Sequence, residues 1–474
     1  MLPELHLPWL ELSIAIPLLG AALCAIRFSD TNKQRVAVCA SAATFLCTVC
    51  EWYDFSGLNT FAAHDHWDII RMLLHKDLFV IDELNAPLLP MTALMFLLTI
   101  VSTQRTKAAR FSYRWTLLLM AVTLAILSCI DPWALIGLLS LAIVPVWMEL
   151  RRRGRSTRVY LLHMSIYLML LIGGWSLLDL NASKSEANLL PIAMLTAAAL
   201  LRAGVVPLQA WIIDLFENAG LGTAFLFMAP MTGAYAVMRL VLPVAPVWAM
   251  QSIAVLSLIT AVHAAGMALI QTDARRLLAY LFLSNSSLIL AGVELVTPIG
   301  LTGGLCVWLS IGLSMCGLAL TIRSVEARIG RIDLQQFSGL GRHMPLLSSF
   351  FLVTGLASIG FPGTIGFIST ELLIEGAVSV YPIVGLMVVV VAALNGIAVV
   401  KAYLHIFAGS EHPSSVSMTC RLSERFAILA IVALIIGGGL MPQPIVKSRY
   451  HAATALLHVR DGTATDTPVG AHGR

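Results

Sequence analysis

Residues 201–207 read Leu-Arg-Ala-Gly-Val-Val-Pro and interrupt an apolar run, and residues 359–364, Ile-Gly-Phe-Pro-Gly-Thr, interrupt a second run in the same way. Because glycine favours turns and proline removes a backbone donor, both stretches predict a broken helix. The predicted hinge residues are Gly204, Pro207, Gly360, Pro362 and Gly363. Within hydrocarbon, unwound backbone is tolerated only beside protein or a water-filled cavity, so the breaks indicate polar cavities. The alternative is a packing kink without function.

The rest of the chain has the composition of a membrane protein. It has 474 residues, 58% hydrophobic and 12% charged, with a mean hydropathy of +0.86. A soluble domain carries about 25% charged residues. Apolar runs of about 20 residues predict about fourteen transmembrane helices. The predicted spans are 9–26, 34–51, 84–102, 112–129, 132–149, 159–178, 189–204, 223–242, 247–270, 276–293, 298–322, 346–376 (interrupted), 381–404 and 424–441. We therefore predict an all-α polytopic membrane protein.

The two breaks occupy matching places in the chain. Each falls in the fourth span of a five-span block, the first block starting near residue 112 and the second near 247. This arrangement is typical of duplicated transporter folds, so we predict an internal repeat whose two breaks enclose a polar path. The predicted segments are N-terminal helices with an external loop (1–111), a first repeat (112–242), a second repeat (243–405), a last transmembrane helix (406–441) and a polar tail (442–474).

Basic residues concentrate in alternate loops. One side carries clusters such as residues 151–158, whereas the opposite loops before the tail show only Arg71, Lys76 and Lys184. Since basic loops stay cytoplasmic, we predict a multi-pass protein of the bacterial inner membrane with both termini outside. The first segment lacks a small-residue cleavage site and is interpreted as a retained helix. No basic patch with interleaved aromatic residues suggests nucleic acid as a partner.

Few ionisable residues fall within the predicted spans, and each is a functional hypothesis because burying a charge in lipid is costly. The candidates are Arg202, His263, Glu371, Glu375 and Lys401, with His405 just after the predicted span that contains Lys401. Arg202 holds its proton and can act only as a fixed charge. Glu371 and Glu375 share one helical face and can share a proton, the alternative being interfacial carboxylates. His263 suits proton transfer, but a satisfied interhelical hydrogen bond is the commoner role.

No sequence pattern indicates chemistry by the chain itself. A nucleotide loop, a nucleophile elbow, and haem or iron–sulfur spacing are all absent from the sequence. The pair His64 and His66 lacks further ligands at metal-binding spacing. We expect no cofactor, no metal and no catalytic residue.

Three motifs resemble one known family. They are residues 202–211 (Arg-Ala-Gly-Val-Val-Pro-Leu-Gln-Ala-Trp), 271–280 (Gln-Thr-Asp-Ala-Arg-Arg-Leu-Leu-Ala-Tyr) and 362–367 (Pro-Gly-Thr-Ile-Gly-Phe). They are similar to the antiporter-like proton-pumping subunits of respiratory complex I, especially chain 4, and to Mrp antiporter and membrane-hydrogenase subunits. The resemblance implies two inverted five-helix repeats with broken seventh and twelfth helices. It also implies a non-catalytic membrane subunit of a proton-translocating NADH:quinone oxidoreductase-type assembly, among other membrane subunits.

The family conducts protons along a midplane row of titratable residues, and this chain departs from that row. The corresponding positions hold Ser140, Arg202, Met231, Asn285, Ile311 and Thr370. Glu371 follows Thr370 but is turned about 100° around the helix. The resemblance therefore implies that any proton path would depend on water and hydroxyl groups, and that proton conduction is impaired.

Two other functions stay open. One is a membrane anchor or coupling subunit that partners a large peripheral zinc protein in two-subunit bicarbonate/CO2 uptake, which the lost charges favour. The other is a cation/proton antiporter subunit, for which acidic ion-binding positions are missing.

Overall fold

The computed structural model describes residues 3–26, 29–58, 60–66, 72, 77–103, 111–179, 189–295, 297–410 and 419–461. The three basic residues predicted for the opposite loops, Arg71, Lys76 and Lys184, lie outside the described residues.

The described part of the chain is almost entirely helical. Its helices are α1 (Trp9–Ala25), α2 (Asp30–Leu58), α3 (Leu88–Val101), α4 (Tyr113–Ser128), α5 (Pro132–Arg152), α6 (Arg158–Ser176), α7a (Leu189–Ala203), α7b (Ala210–Asn218), α8a (Leu221–Met228), α8b (Thr232–Ala236, continued by a π-helical turn Val237–Val241), α9 (Val247–Ile270), α10 (Ala274–Val293), α11 (Pro298–Ile329), α12a (Pro345–Ser358), α12b (Ile365–Val380), α13 (Pro382–Phe407), α14 (Leu422–Leu440) and α15 (Gln443–Asp461). Two short antiparallel strands, β1 (Ala62–Ala63) and β2 (Ile81–Asp82), form a hairpin.

The predicted fold class is confirmed. Among the described helices, nine are long and apolar enough to span a membrane, and α1, α3, α4, α7a and α12a are shorter apolar helices. Counting the two halves of α7 and of α12 as one crossing each gives fourteen crossings in the described residues. The predicted breaks in the seventh and twelfth helices are present, at 204–209 and 359–364.

Several helices begin at sequence signals that fix their first turn. Asp131 accepts a hydrogen bond from the backbone of Ala134 at the start of α5. Asp273 accepts from Arg275 and Arg276 at the start of α10. These carboxylates satisfy donors that the first turn of a helix leaves without partners.

The two repeats run in opposite directions through the bundle. Helices α4 to α8 correspond to the first predicted repeat, and α9 to α13 correspond to the second. Because five crossings are an odd number, α9 starts at the end of the bundle opposite to the start of α4. The broken helix is the fourth in each repeat, as the sequence predicted.

Both ends of the described chain lie at the same end of the bundle. The Leu5 amide donates to the carbonyl of His64, which ties the N-terminal residues to the hairpin. Arg449 of α15 is buried and donates to the carbonyls of Leu84 and Glu83, just after the hairpin. The sequence predicted a polar tail at 442–474, whereas most of that segment forms α15, which packs on α11.

Glycines allow α11 and α12b to approach closely. A Cβ atom added at Gly376 would clash with the backbone of Gly300, and one added at Gly303 would clash with the backbone of Leu373. Small residues at such contacts let helix backbones pack at short range, where dispersion and weak polar contacts stabilise membrane helices.

We expect the substitution Gly376→Ala to destabilise the bundle by about 1–3 kcal/mol, because overpacking forces backbone shifts. Gly266→Ala is the matched control, since a Cβ atom at Gly266 meets nothing within 4 Å. Equilibrium unfolding in mixed micelles of mild and denaturing detergent measures both variants. Equal stability of the two would contradict the close packing.

Candidate functional site

The break in α7 is stabilised by polar groups of the protein. Gly204 has a φ of 70°, a conformation that favours glycine. After the break, the Val206 amide donates to the Thr260 hydroxyl of α9 at 3.0 Å. The Trp211 indole donates to the carbonyl of Leu201 at 3.0 Å. The freed backbone groups therefore find partners inside the protein, as unwound membrane helices require.

Arg202 lies at the end of α7a, 5% exposed. Its guanidinium donates to the Thr232 hydroxyl at 3.1 Å and lies 4.6 Å from the centroid of the Phe227 ring and 5.4 Å from that of Trp211. The Met228 sulfur, at 3.8 Å, completes the contacts on this side. No carboxylate of the described residues forms an ion pair with Arg202. The rings stabilise the cation through cation–π attraction without neutralising it.

The eighth helix carries a third interruption that the sequence analysis did not predict. Met231 has a left-handed backbone, with a φ of 52°, between α8a and α8b. A Cβ atom at Gly233 would lie 2.9 Å from Cγ of Arg202, so the glycine makes room for the arginine stem. The signal was present in Pro230 and Gly233, inside a run that otherwise reads as one continuous span.

A small cavity of about 30 Å³ adjoins Arg202. Ser286 and Ser287 of α10 line it together with Arg202, Met228 and Phe282. A water molecule needs at least roughly 10–15 Å³ and two or more polar partners, so this cavity can hold one or two.

A separate amide and hydroxyl cluster lies where α10 meets α9 and α13. The Asn395 side chain of α13 donates to Ser284 Oγ at 2.9 Å and to Asn285 Oδ1 at 3.4 Å. Ser284 in turn donates to the carbonyl of Ala261 in α9. Asn395 is fully buried, and its Oδ1 atom has no hydrogen-bond partner among the described residues. Asn395 could not be recognised in the sequence, because burying an uncharged amide in a membrane is less costly than burying an ionisable group.

The break in α12 is built in a similar way but packs on different helices. Gly360 and Gly363 have φ values of 83° and 86°. A Cβ atom at Gly360 would lie 2.9 Å from Thr370 Oγ1, and one at Gly366 would lie 3.1 Å from Ser310 Oγ of α11. Hydroxyl groups, rather than carboxylates, therefore face this break.

The remaining predicted residues point away from the breaks. Glu371, Glu375 and His263 are exposed on the outer surface of this chain. Lys401 is exposed and donates to the carbonyl of Leu269 at the end of α9. The structure thus places Arg202 at the first break, Asn285 beside Asn395 of α13 and Thr370 at the second break. The other four predicted residues, which are ionisable, lie at exposed positions.

Ser140 is only partly buried, and its hydroxyl donates to the carbonyl of Ile136 in its own helix. The buried polar groups around Arg202 and Asn395, here called the Arg202–Asn395 cluster, are hydroxyls, amides and one fixed cation. Such groups orient water, but within the described residues of the cluster no carboxylate, lysine or histidine is available to exchange a proton.

These features define a class: an all-α membrane bundle with inverted repeats whose fourth helices are broken. The chain belongs to the NADH:quinone oxidoreductase/Mrp antiporter transmembrane family, whose profile matches residues 154–395. The resemblance inferred from the motifs is confirmed.

Sequence relatives span nearly the whole chain. NADH-quinone oxidoreductase subunit M of Rickettsia bellii is 25% identical, covering 96% of this chain and 99% of the relative. NAD(P)H-quinone oxidoreductase chain 4 of Trichormus variabilis is 24% identical, covering 94% of this chain and 90% of the relative.

Solved structures show the same fold. A chain of the Mrp complex from Dietzia sp. superposes with a TM-score of 0.83 at 20% identity, covering 96% of this chain and 98% of that chain. A chain of respiratory complex I from Thermus thermophilus with bound NADH gives a TM-score of 0.82 at 20% identity, covering 95% and 99%.

Proposed function

We propose that this chain is a non-catalytic membrane subunit of a complex-I- or Mrp-like proton-translocating assembly, and that Arg202 impairs proton conduction through its first repeat. The observation that carries the proposal is a buried guanidinium beside the α7 break without a carboxylate partner among the described residues. A guanidinium keeps its proton at physiological pH, so it repels an arriving hydronium ion and cannot pass a proton on.

The outward charges support a role within an assembly. Glu371, Glu375 and His263 lie on exposed faces of membrane-spanning helices. Ionisable side chains facing lipid are costly, which favours contacts with neighbouring membrane subunits over a lipid boundary. Relatives named as NADH-quinone oxidoreductase subunits, and related chains solved within multi-subunit complexes, agree with such partners.

The orientation follows from the basic end of the bundle. Arg153, Arg275 and Arg331 lie at one end, and the hairpin and both ends of the described chain lie at the other. Basic loops favour the cytoplasmic side, so we assign both termini to the outside of a bacterial inner membrane.

Purification of the chain with its natural partners in mild detergent tests this function. We expect several further membrane subunits to co-purify, and proteoliposomes of that assembly to show a proton flux that rises in Arg202→Ala. Glu371→Gln is the control and should leave the flux unchanged, because Glu371 lies on the outer surface of the chain. Unchanged flux in Arg202→Ala would remove Arg202 from the path.

A second candidate is an anchor or coupling subunit for a large peripheral zinc protein of inorganic-carbon uptake. The absence of an exchangeable group from the described Arg202–Asn395 cluster favours it, because an anchor needs the fold without the conduction path. Recovery of one large soluble zinc-containing partner, without further membrane subunits, would support this candidate and contradict the first.

A further inference from the structure

The basic end of the bundle contains two adjoining cavities, with volumes of about 250 and 460 Å³. Their walls come from both repeats, because α5 and the turn between α7b and α8a face α10 and α11 there. The arginines that line them are Arg152, Arg153, Arg155, Arg275, Arg323 and Arg331.

The carboxylates that line these cavities are already paired with arginines. Their partnerships are Glu149 with Arg153 at 2.8 Å, Glu326 with Arg275 at 2.7 Å, Glu424 with Arg328 at 2.6 Å and Glu217 with Arg276 at 3.6 Å. Arg331 has a more distant carboxylate, Asp273, at 3.7 Å. These pairs leave positive charge on the other arginines of the walls.

Arg323 carries part of the positive charge that the lining carboxylates do not balance. Its guanidinium donates to the carbonyl of Thr99 at 2.8 Å and to the Thr103 hydroxyl at 2.7 Å, and lies 5.0 Å from the centroid of the Phe111 ring. These neutral partners position the cation without balancing its charge. No described carboxylate forms an ion pair with Arg323.

Arg152 and Arg155 carry the rest. Arg152 donates to the Ser112 hydroxyl at 2.8 Å, and Arg155 is exposed at the wall of the larger cavity. Within the described chain neither forms an ion pair. The two cavities therefore hold an excess of guanidinium charge on three side chains.

We propose that these cavities bind an anion of the phosphate class, either the headgroup phosphate of an anionic phospholipid or inorganic phosphate. Guanidinium forks match phosphate oxygens and form strong charge-assisted hydrogen bonds with them. Basic pockets between helices at the cytoplasmic side suit such headgroups. Each cavity far exceeds the roughly 30 Å³ that one water occupies in the liquid, so a hydrated phosphate group fits.

The position of the site gives the anion a structural effect. Two arginines hold the chain where α7b leads into α8a. Arg275 donates to the carbonyl of Ala219 at 3.1 Å, and Arg331 donates to the carbonyl of Glu217. The Gly220 amide donates to Glu149 at 3.0 Å. An anion held by these walls joins α5 and the turn between α7b and α8a to α10 and α11, and it stabilises the folded bundle by mass action.

The test uses the delipidated full chain with its co-purifying partners. Thermal unfolding is followed while inorganic phosphate, phosphatidylglycerol or zwitterionic phosphatidylcholine is titrated in separate arms at fixed ionic strength. We expect stabilisation by phosphatidylglycerol or by phosphate but not by phosphatidylcholine. Saturation by phosphate alone identifies a free anion, and a response to phosphatidylglycerol alone identifies a lipid.

Variants locate the site. Arg323→Gln and Arg155→Gln should each lower the affinity for the stabilising anion by on the order of tenfold, because each removes one charged contact. The Arg155 side chain is exposed and forms no hydrogen bond or ion pair with the described residues, so its variant is expected to fold even where Arg323→Gln does not. Arg114→Gln is the matched control, because Arg114 is exposed at the same end and lines neither cavity. Equal anion response in Arg155→Gln and Arg114→Gln, or no response of the unaltered protein to either anion, would overturn the proposal.

Discussion

Replacing Glu424 by alanine should destabilise the bundle by about 3–5 kcal/mol, because it leaves a buried arginine without its counter-charge. The Glu424 side chain is 1% exposed and receives two hydrogen bonds from Arg328, at 2.6 and 3.1 Å. Arg328 is itself only 10% exposed. The pair joins the end of α11 to the first turn of α14, where Glu424 also accepts from the Arg421 amide.

An exposed pair at the same end of the bundle serves as the control. Arg276 and Glu217 are 3.6 Å apart with side chains 46% and 39% exposed. Replacing Glu217 by alanine should cost no more than about 1 kcal/mol, since solvent screens the charges. Unfolding in mixed micelles measures both variants, and a double-mutant cycle with Arg328→Met isolates the pair. Equal costs for the buried and exposed pairs would refute the argument.

The sequence predicted the helices well because hydrocarbon thickness sets their length and glycine and proline mark their breaks. The breaks at Gly204 and Gly360 could be predicted without knowledge of the tertiary structure. The interruption at Met231 was not predicted, because a non-glycine residue takes the left-handed conformation there, inside an apolar run. Helix α15 was not predicted, because its composition is that of a polar segment. Only the contact of the buried Arg449 with the carbonyl of Leu84 shows that this helix packs on the bundle.

The candidate site was harder to predict than the fold. In a membrane helix, apolar residues cover the lipid face and the packed face alike, so hydrophobic periodicity does not tell which way Glu371 or His263 points. The structure turns both outward and places Thr370 at the break. The buried contact of Asn395 with Ser284 joins helices far apart in sequence, and uncharged residues leave no trace of such pairing in one sequence.

Replacing Arg202 by lysine should raise the passive proton leak of proteoliposomes by about tenfold or more. At an effective dielectric of about 20, a guanidinium roughly 8 Å from a hydronium ion raises its energy by about 2 kcal/mol. A buried lysine can lose its proton, which removes that repulsion and supplies an exchangeable group. Arg202→Gln removes the charge alone, so a smaller rise in that variant separates repulsion from exchange.

Arg239→Lys is the matched control for the lysine variant. Arg239 also lies in the eighth helix, but Asp82 accepts from it at 2.5 Å, so a lysine there keeps its proton and opens no path. A pH-sensitive dye inside the vesicles reports the leak after a proton gradient is imposed. Arg202 lines the cavity that Ser286 and Ser287 also line, whereas Arg239 does not, so only the first substitution should change the leak. An Arg202→Lys leak no greater than that of Arg239→Lys would show that the fixed charge at the α7 break is not the barrier.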